Sequence, residues 1–211
     1  MKVYRWFLGT LLLAGVLLQP TAGSAVVLGQ IDSFQDGTLQ NWDAGLDGVE
    51  PFPPSPVVIP NGGPGGGNNQ YMQITGIGGT GTGPGTKISV VNRNLQWSGN
   101  YLAAGVNAIT MSLKNTGATD LVVRVMIGDV AQLGSKEPTN IAVSKDSVVL
   151  PVGGAWVAAT FNITPSRLAA AKGNVATAVA TALTNAGELR IIHNPNPTFP
   201  PPATPLCKSS P

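Results

Sequence analysis

Between residues 48 and 86 glycine or proline interrupts the chain every few positions, and this restricts what it can fold into. In "PFPPSPVVIPNGGPGGGNN" each proline lacks a backbone donor and each glycine loses extra entropy on ordering. No helix runs through that stretch, or through "GIGGTGTGPG". Between the breaks lie short runs of strand character, "QYMQIT" (70–75) and "TKISVVN" (86–92). In 106–115, Ile109, Met111 and Leu113 alternate with Thr110, Ser112 and Lys114, the period of a half-buried strand. Leu121, Val123, Val125 and Ile127 likewise oppose Arg124. "SVVLPVGGAWVAATFNI" reads as strand, Gly-Gly turn, strand, with Val157, Phe161 and Ile163 inward. "ELRIIH" (188–193) is a further strand. One helix is predicted over 174–187, with Asn174 as N-cap, Gly187 as the C′ residue and Val175, Val179 and Leu183 on one face. A second helical turn begins at Pro165. Eight or nine strands with one or two short helices predict an all-β fold, a single antiparallel β-sandwich of jelly-roll type.

The first 25 residues, "MKVYRWFLGTLLLAGVLLQPTAGSA", combine two basic residues, an apolar run and a small-residue end, the pattern of a cleaved secretory signal. The expected division is signal 1–25, sandwich domain 26–199 and an irregular tail 200–211, "PPPATPLCKSSP" from residue 200 being preceded by Phe199. The expected location is secreted, extracellular or periplasmic, with no membrane attachment after cleavage. The signal holds two of the twelve basic residues and none of the ten acidic ones, so the exported chain is charge-balanced. Balanced, sparse and scattered charge argues against nucleic acid, whose binding rests on many Lys and Arg contacts to phosphate. The lone Cys207 excludes an intramolecular disulfide.

"FQDGTLQNW", "GGPGGGNNQYMQIT", "QWSGNYLAAGVNAITMSLKN" and "ELRIIHNPNPTF" succeed one another in this order. As a set they resemble exported bacterial jelly-roll domains, similar to galactose-binding-like carbohydrate-binding modules, some of which precede a PEP-type sorting tail. The resemblance covers about residues 30–199 and implies fold more than function, because such folds host many ligands. Relatives commonly have Glu where this chain has Gln35, and they close with a further strand beside the first. Neither that strand nor a sorting tail comes after Phe199, which predicts an open edge on the first strand, expected within "DSFQDGTLQNW" (32–42).

The resemblance also implies a structural Ca²⁺ beside the first strand, with Asp32 and Asp36 as metal ligands and loop carbonyls near Asn68 and Asn69 completing the oxygen shell. Beside it stands a plainer reading, that "QDGT" is a β-turn in which Asp36 bonds its own backbone and Gly37 takes positive φ. Trp97, Tyr101 and Trp156 are the carbohydrate-binding candidates, since aromatic faces suit the apolar face of a pyranose; core packing is the commoner role of such residues. Trp42 shares both readings. No catalytic set is expected: His193 is the one histidine, no GxSxG elbow accompanies it, and "GGTGTGPGTK" lacks the ending of a phosphate loop. The expected function is non-catalytic binding of a polysaccharide, an exopolysaccharide or cell-wall glycan. The alternative is a structural or adhesive role through contacts with other envelope components.

Overall fold

The computed structural model describes residues 25–44, 54–76, 88–129 and 137–200. Of the expected signal 1–25 and tail 200–211, residues 1–24 and 201–211 lie outside the described residues. Eleven strands and one α-helix form among those described: β1 (Trp42–Asp43), β2 (Val57–Ile59), β3 (Tyr71–Gln73), β4 (Ser89–Asn92), β5 (Ala108–Leu113), β6 (Leu121–Asp129), β7 (Ile141–Ser144), β8 (Val148–Leu150), β9 (Val157–Asn162), β10 (Leu168–Lys172), α1 (Ala178–Thr184) and β11 (Ala186–His193). The protein is therefore mostly β, with antiparallel sheets, one short helix and no closed barrel among the described residues.

The largest sheet has seven strands in the order β1-β4-β11-β6-β7-β10, with β8 also paired to β6. β6 is its spine: β11 runs antiparallel along one edge, and β7 and β8 share the other, opposite Met126–Gly128 and Leu121–Val123 respectively. β5 and β9 form a two-stranded sheet in register from Ala108↔Asn162 to Leu113↔Val157, and β2 and β3 form another. The alternation read from sequence fixes which way these strands face. Val123, Val125 and Ile127 of β6 share one core with Ile109 of β5 and Ala159 and Phe161 of β9. Ala182 and Leu183 of α1 close the same core beside β6, β7 and β10. The other face of the large sheet is also covered: Met126, Ile141, Val143 and Ile192 make a second cluster, against which Ala171 and Phe199 pack.

Two expectations need correction. Residues 32–41 make no strand, because Phe34, Gly37, Gln40 and Asn41 all take positive φ, between 48° and 75°. Such backbone turns rather than extends, and the first ladder begins only at Trp42, paired to Asn92. β1 is an edge of its sheet among the described residues, but a two-residue one. The helix is also shorter than predicted. Asn174 caps a turn, its Oδ1 accepting from Ala176 N at 2.9 Å, and α1 starts four residues later; Val175 is 83% exposed and Gly187 lies within β11. The 3₁₀ turn at Pro165–Arg167 forms as expected.

Arg124 joins the break between β7 and β8 to the end of β11. Its guanidinium is buried, and Nη1 donates to the carbonyls of Ser144, Lys145 and Asp146 at 2.9, 2.7 and 3.2 Å. Those three residues lie in or beside the gap where β7 stops and β8 begins. Nε and Nη2 donate to Asn194 O and Pro195 O at 3.0 and 2.9 Å. A planar cation with five N–H groups can satisfy several orphaned carbonyls together, which an ammonium cannot match in fixed geometry. Burial lowers its pKa and the nearby Asp146 charge partly offsets that.

Candidate functional site

Residues of β3, of the β5–β9 pair and of the large sheet line a cleft of about 460 Å³, within the usual range of ligand sites. Its floor is the open end of the core, including Leu113, Leu121 and Leu150. Its rim is aromatic and polar, including Tyr71 and Gln73 of β3 together with Ser112, Lys114 and Trp156. Trp156 and Tyr71 meet edge to face, ring centroids 5.2 Å apart at 79°. Trp156 Nε1 donates to Gly62 O at 3.0 Å, so the loop after β2 fixes the indole's orientation. Both rings stay half-buried, which leaves each with accessible surface.

Buried polar groups hold this rim in place. Asn115 Nδ2 donates to Thr119 O at 2.8 Å and to Leu150 O at 3.0 Å, while its Oδ1 accepts from Gly117 N at 2.9 Å. One side chain thus closes the 115–119 turn and ties it to β8. His193 lines the cleft, and its Nδ1 accepts from Val122 N at 2.9 Å, holding the start of β6 to the end of β11. That bond requires an unprotonated Nδ1.

The other predicted carbohydrate-binding rings are elsewhere. Trp97 is 9% exposed and Tyr101 fully buried, so neither offers a face to a sugar. Tyr101 Oη donates to Trp97 O at 2.9 Å, and burial pushes its phenol pKa well up. Trp97 and Trp42 instead pack together, centroids 6.5 Å apart, and both donate to one carboxylate. Asp32 Oδ2 accepts from Trp97 Nε1 at 2.6 Å and Trp42 Nε1 at 2.7 Å; Asp32 Oδ1 accepts from Gln96 Nε2 at 3.0 Å. This is why an aspartate and a tryptophan stand ten residues apart at the start of the domain.

The residues suggested for calcium do not fit that ion as arranged. Hydrogens of three side chains point at Asp32 where a cation would need its lone pairs. Asp36 Oδ1 accepts from Thr38 N and Thr38 Oγ1, both at 2.9 Å, and Oδ2 from Gln40 Nε2 at 3.3 Å. These bonds hold its carboxyl below the ordinary range, led by the Thr38 backbone N–H. Asn69 is occupied as well, Oδ1 by Gly65 N and the carbonyl by Gly63 N. Among the described residues no three His, Cys, Asp or Glu side chains gather as a metal site. "QDGT" is a turn, with Gly37 at φ 75° and Gly37 N donating to Phe34 O at 3.1 Å.

Gln35 uses its amide fully. Nε2 donates to Gln70 O at 3.0 Å and Oε1 accepts from Gln70 N at 3.2 Å, stitching this turn to the residue before β3. A carboxylate would lack the donor. No family model, curated protein or solved structure matches this chain.

Proposed function

We propose that this chain is an exported, non-catalytic β-sandwich of the jelly-roll, galactose-binding-like kind, and that it binds polysaccharide in the cleft beside Trp156. The observation that carries this reading is the fixed Trp156–Tyr71 corner at the mouth of a cleft of about 460 Å³. Aromatic surface with hydroxyl and amide groups beside it suits sugars, which present one apolar face and an equatorial ring of hydroxyls. Gln73 and Ser112 line the same cleft and add an amide and a hydroxyl, groups that can bond such hydroxyls. His193 is committed to a backbone N–H at Nδ1, which supports a structural role for it rather than a catalytic one.

Affinity electrophoresis through polysaccharide gels tests the proposal. Retardation by at least one glycan, lost in Trp156→Ala and weakened in Tyr71→Ala with an unchanged unfolding midpoint, is the expected result. Equal retardation of Trp156→Ala and the parent protein would remove the cleft from the account. The apolar floor favours one rival, a structural or adhesive protein whose partner inserts an apolar side chain there; mobility unaffected by every glycan supports that rival.

A further inference from the structure

Among the described residues lining the cleft there is no aspartate or glutamate, and the fixed positive charge there is Lys114. Lys114 is exposed and makes no ion pair or hydrogen bond among the described residues, whereas Lys145 is bonded to Ser166 O and Arg93, Arg167 and Arg190 all face carboxylates. Register places it further. Leu113↔Val157 is the last pair of the β5–β9 ladder, Lys114 directly follows Leu113 and Trp156 directly precedes Val157, and both line the cleft. An aromatic platform next to an unpartnered ammonium, in a cleft whose described lining is free of carboxylates, is a recognition surface for a sugar ring that carries a carboxylate.

We propose that the polysaccharide bound here is acidic, a uronate-containing glycan, with Lys114 facing the uronate carboxylate while Trp156 covers the adjoining ring. This rests on the cleft being a sugar site and specifies the sugar's charge. The exported chain's balanced charge makes the preference local: ten acidic and ten basic residues in 26–211 give no general attraction for polyanions. Neutral glycans keep the aromatic and hydroxyl contacts and bind more weakly. Acidic glycans gain one ion pair that salt screens.

The test uses polygalacturonate and its methyl-esterified form, identical in backbone and different in charge, with titration calorimetry of the full exported chain. Expected is tighter binding of the free acid than of the ester, by about fivefold, the worth of one partly exposed ion pair. Lys114→Gln abolishes that difference and Lys114→Arg retains it. Lys172→Gln, on the far edge strand β10, leaves it unchanged. Equal affinity for acid and ester, or equal weakening by Lys114→Gln and Lys172→Gln, overturns the acidic preference while leaving the sugar reading intact. Failure of acid, ester and neutral glucans alike to bind, with Trp156→Ala indistinguishable from the parent, overturns both.

Discussion

Asp32 ties together three side chains that are distant in sequence from one another or from itself. Two buried indoles and an amide converge on its carboxylate, and Asp32→Ala strands both indole N–H groups, while Gln96 Nε2 keeps Gln40 O at 3.1 Å. Each donor left buried without an acceptor costs about 1–3 kcal/mol, so Asp32→Ala should lower unfolding free energy by at least that amount in urea titration. Asp32→Asn, which keeps one acceptor oxygen, should cost less. Because the donors occupy the lone pairs, calcium and chelator should leave the thermal midpoint unchanged; a midpoint raised by calcium would show that the segment rearranges around an ion. None of this is legible locally. Trp42 stands ten residues from Asp32, but Gln96 and Trp97 are more than sixty residues away, and only the fold brings them together. The same distance hides Tyr101 in the core, where a ring near a Gly-Asn turn reads as easily as a surface platform.

At the scale of elements, strands that alternate are readable in the sequence and those that do not are easily overlooked. β5, β6 and β9 carry apolar residues at every second position because one face meets the main core. All four residues of β7 are buried, so both faces are apolar or small and no period shows. β10, "LAAAK", has side chains too small to mark a face. Alternation correctly sets Arg124 opposite the core-facing residues of β6, but its surroundings are protein carbonyls rather than solvent. Arg124→Leu should leave several buried carbonyls unpaired and cost on the order of 3 kcal/mol, with Arg124→Lys recovering part; a stability loss under about 1 kcal/mol in denaturant titration would contradict the stapling role. In the loop between β7 and β8, Asp146 accepts from Asn162 Nδ2 at 3.0 Å and pairs with Arg167, and these contacts, Asn162 first, hold its carboxyl below the ordinary carboxylate range. A depressed carboxyl stabilises the fold above its unfolded pKa and loses that contribution as pH falls through its folded value. Stability should therefore decline below about pH 4, and Asp146→Asn should flatten that decline in midpoint-versus-pH measurements.

For the whole molecule, the segment after β11 completes the side of the large sheet turned away from the main core. Arg190 is buried there, bonded to Glu188 at 2.7 Å, with its guanidinium 5.4 Å from the centre of the Phe199 ring. Phe199→Ala should expose this ion pair and the cluster around Met126 and Ile192, costing about 1–2 kcal/mol and increasing binding of a hydrophobic dye; parent-like dye binding would show that the ring is dispensable. The tryptophans, finally, give the protein a built-in optical readout. Of the four in the chain, Trp6 belongs to the expected export signal, Trp42 and Trp97 share one carboxylate, and Trp156 stands at the cleft. Emission from the buried pair should track the integrity of the amino-terminal turn, while quenching by a small solute should fall on the accessible indole. Opening of the amino-terminal turn and occupancy of the cleft can then be monitored separately in a single unlabelled sample.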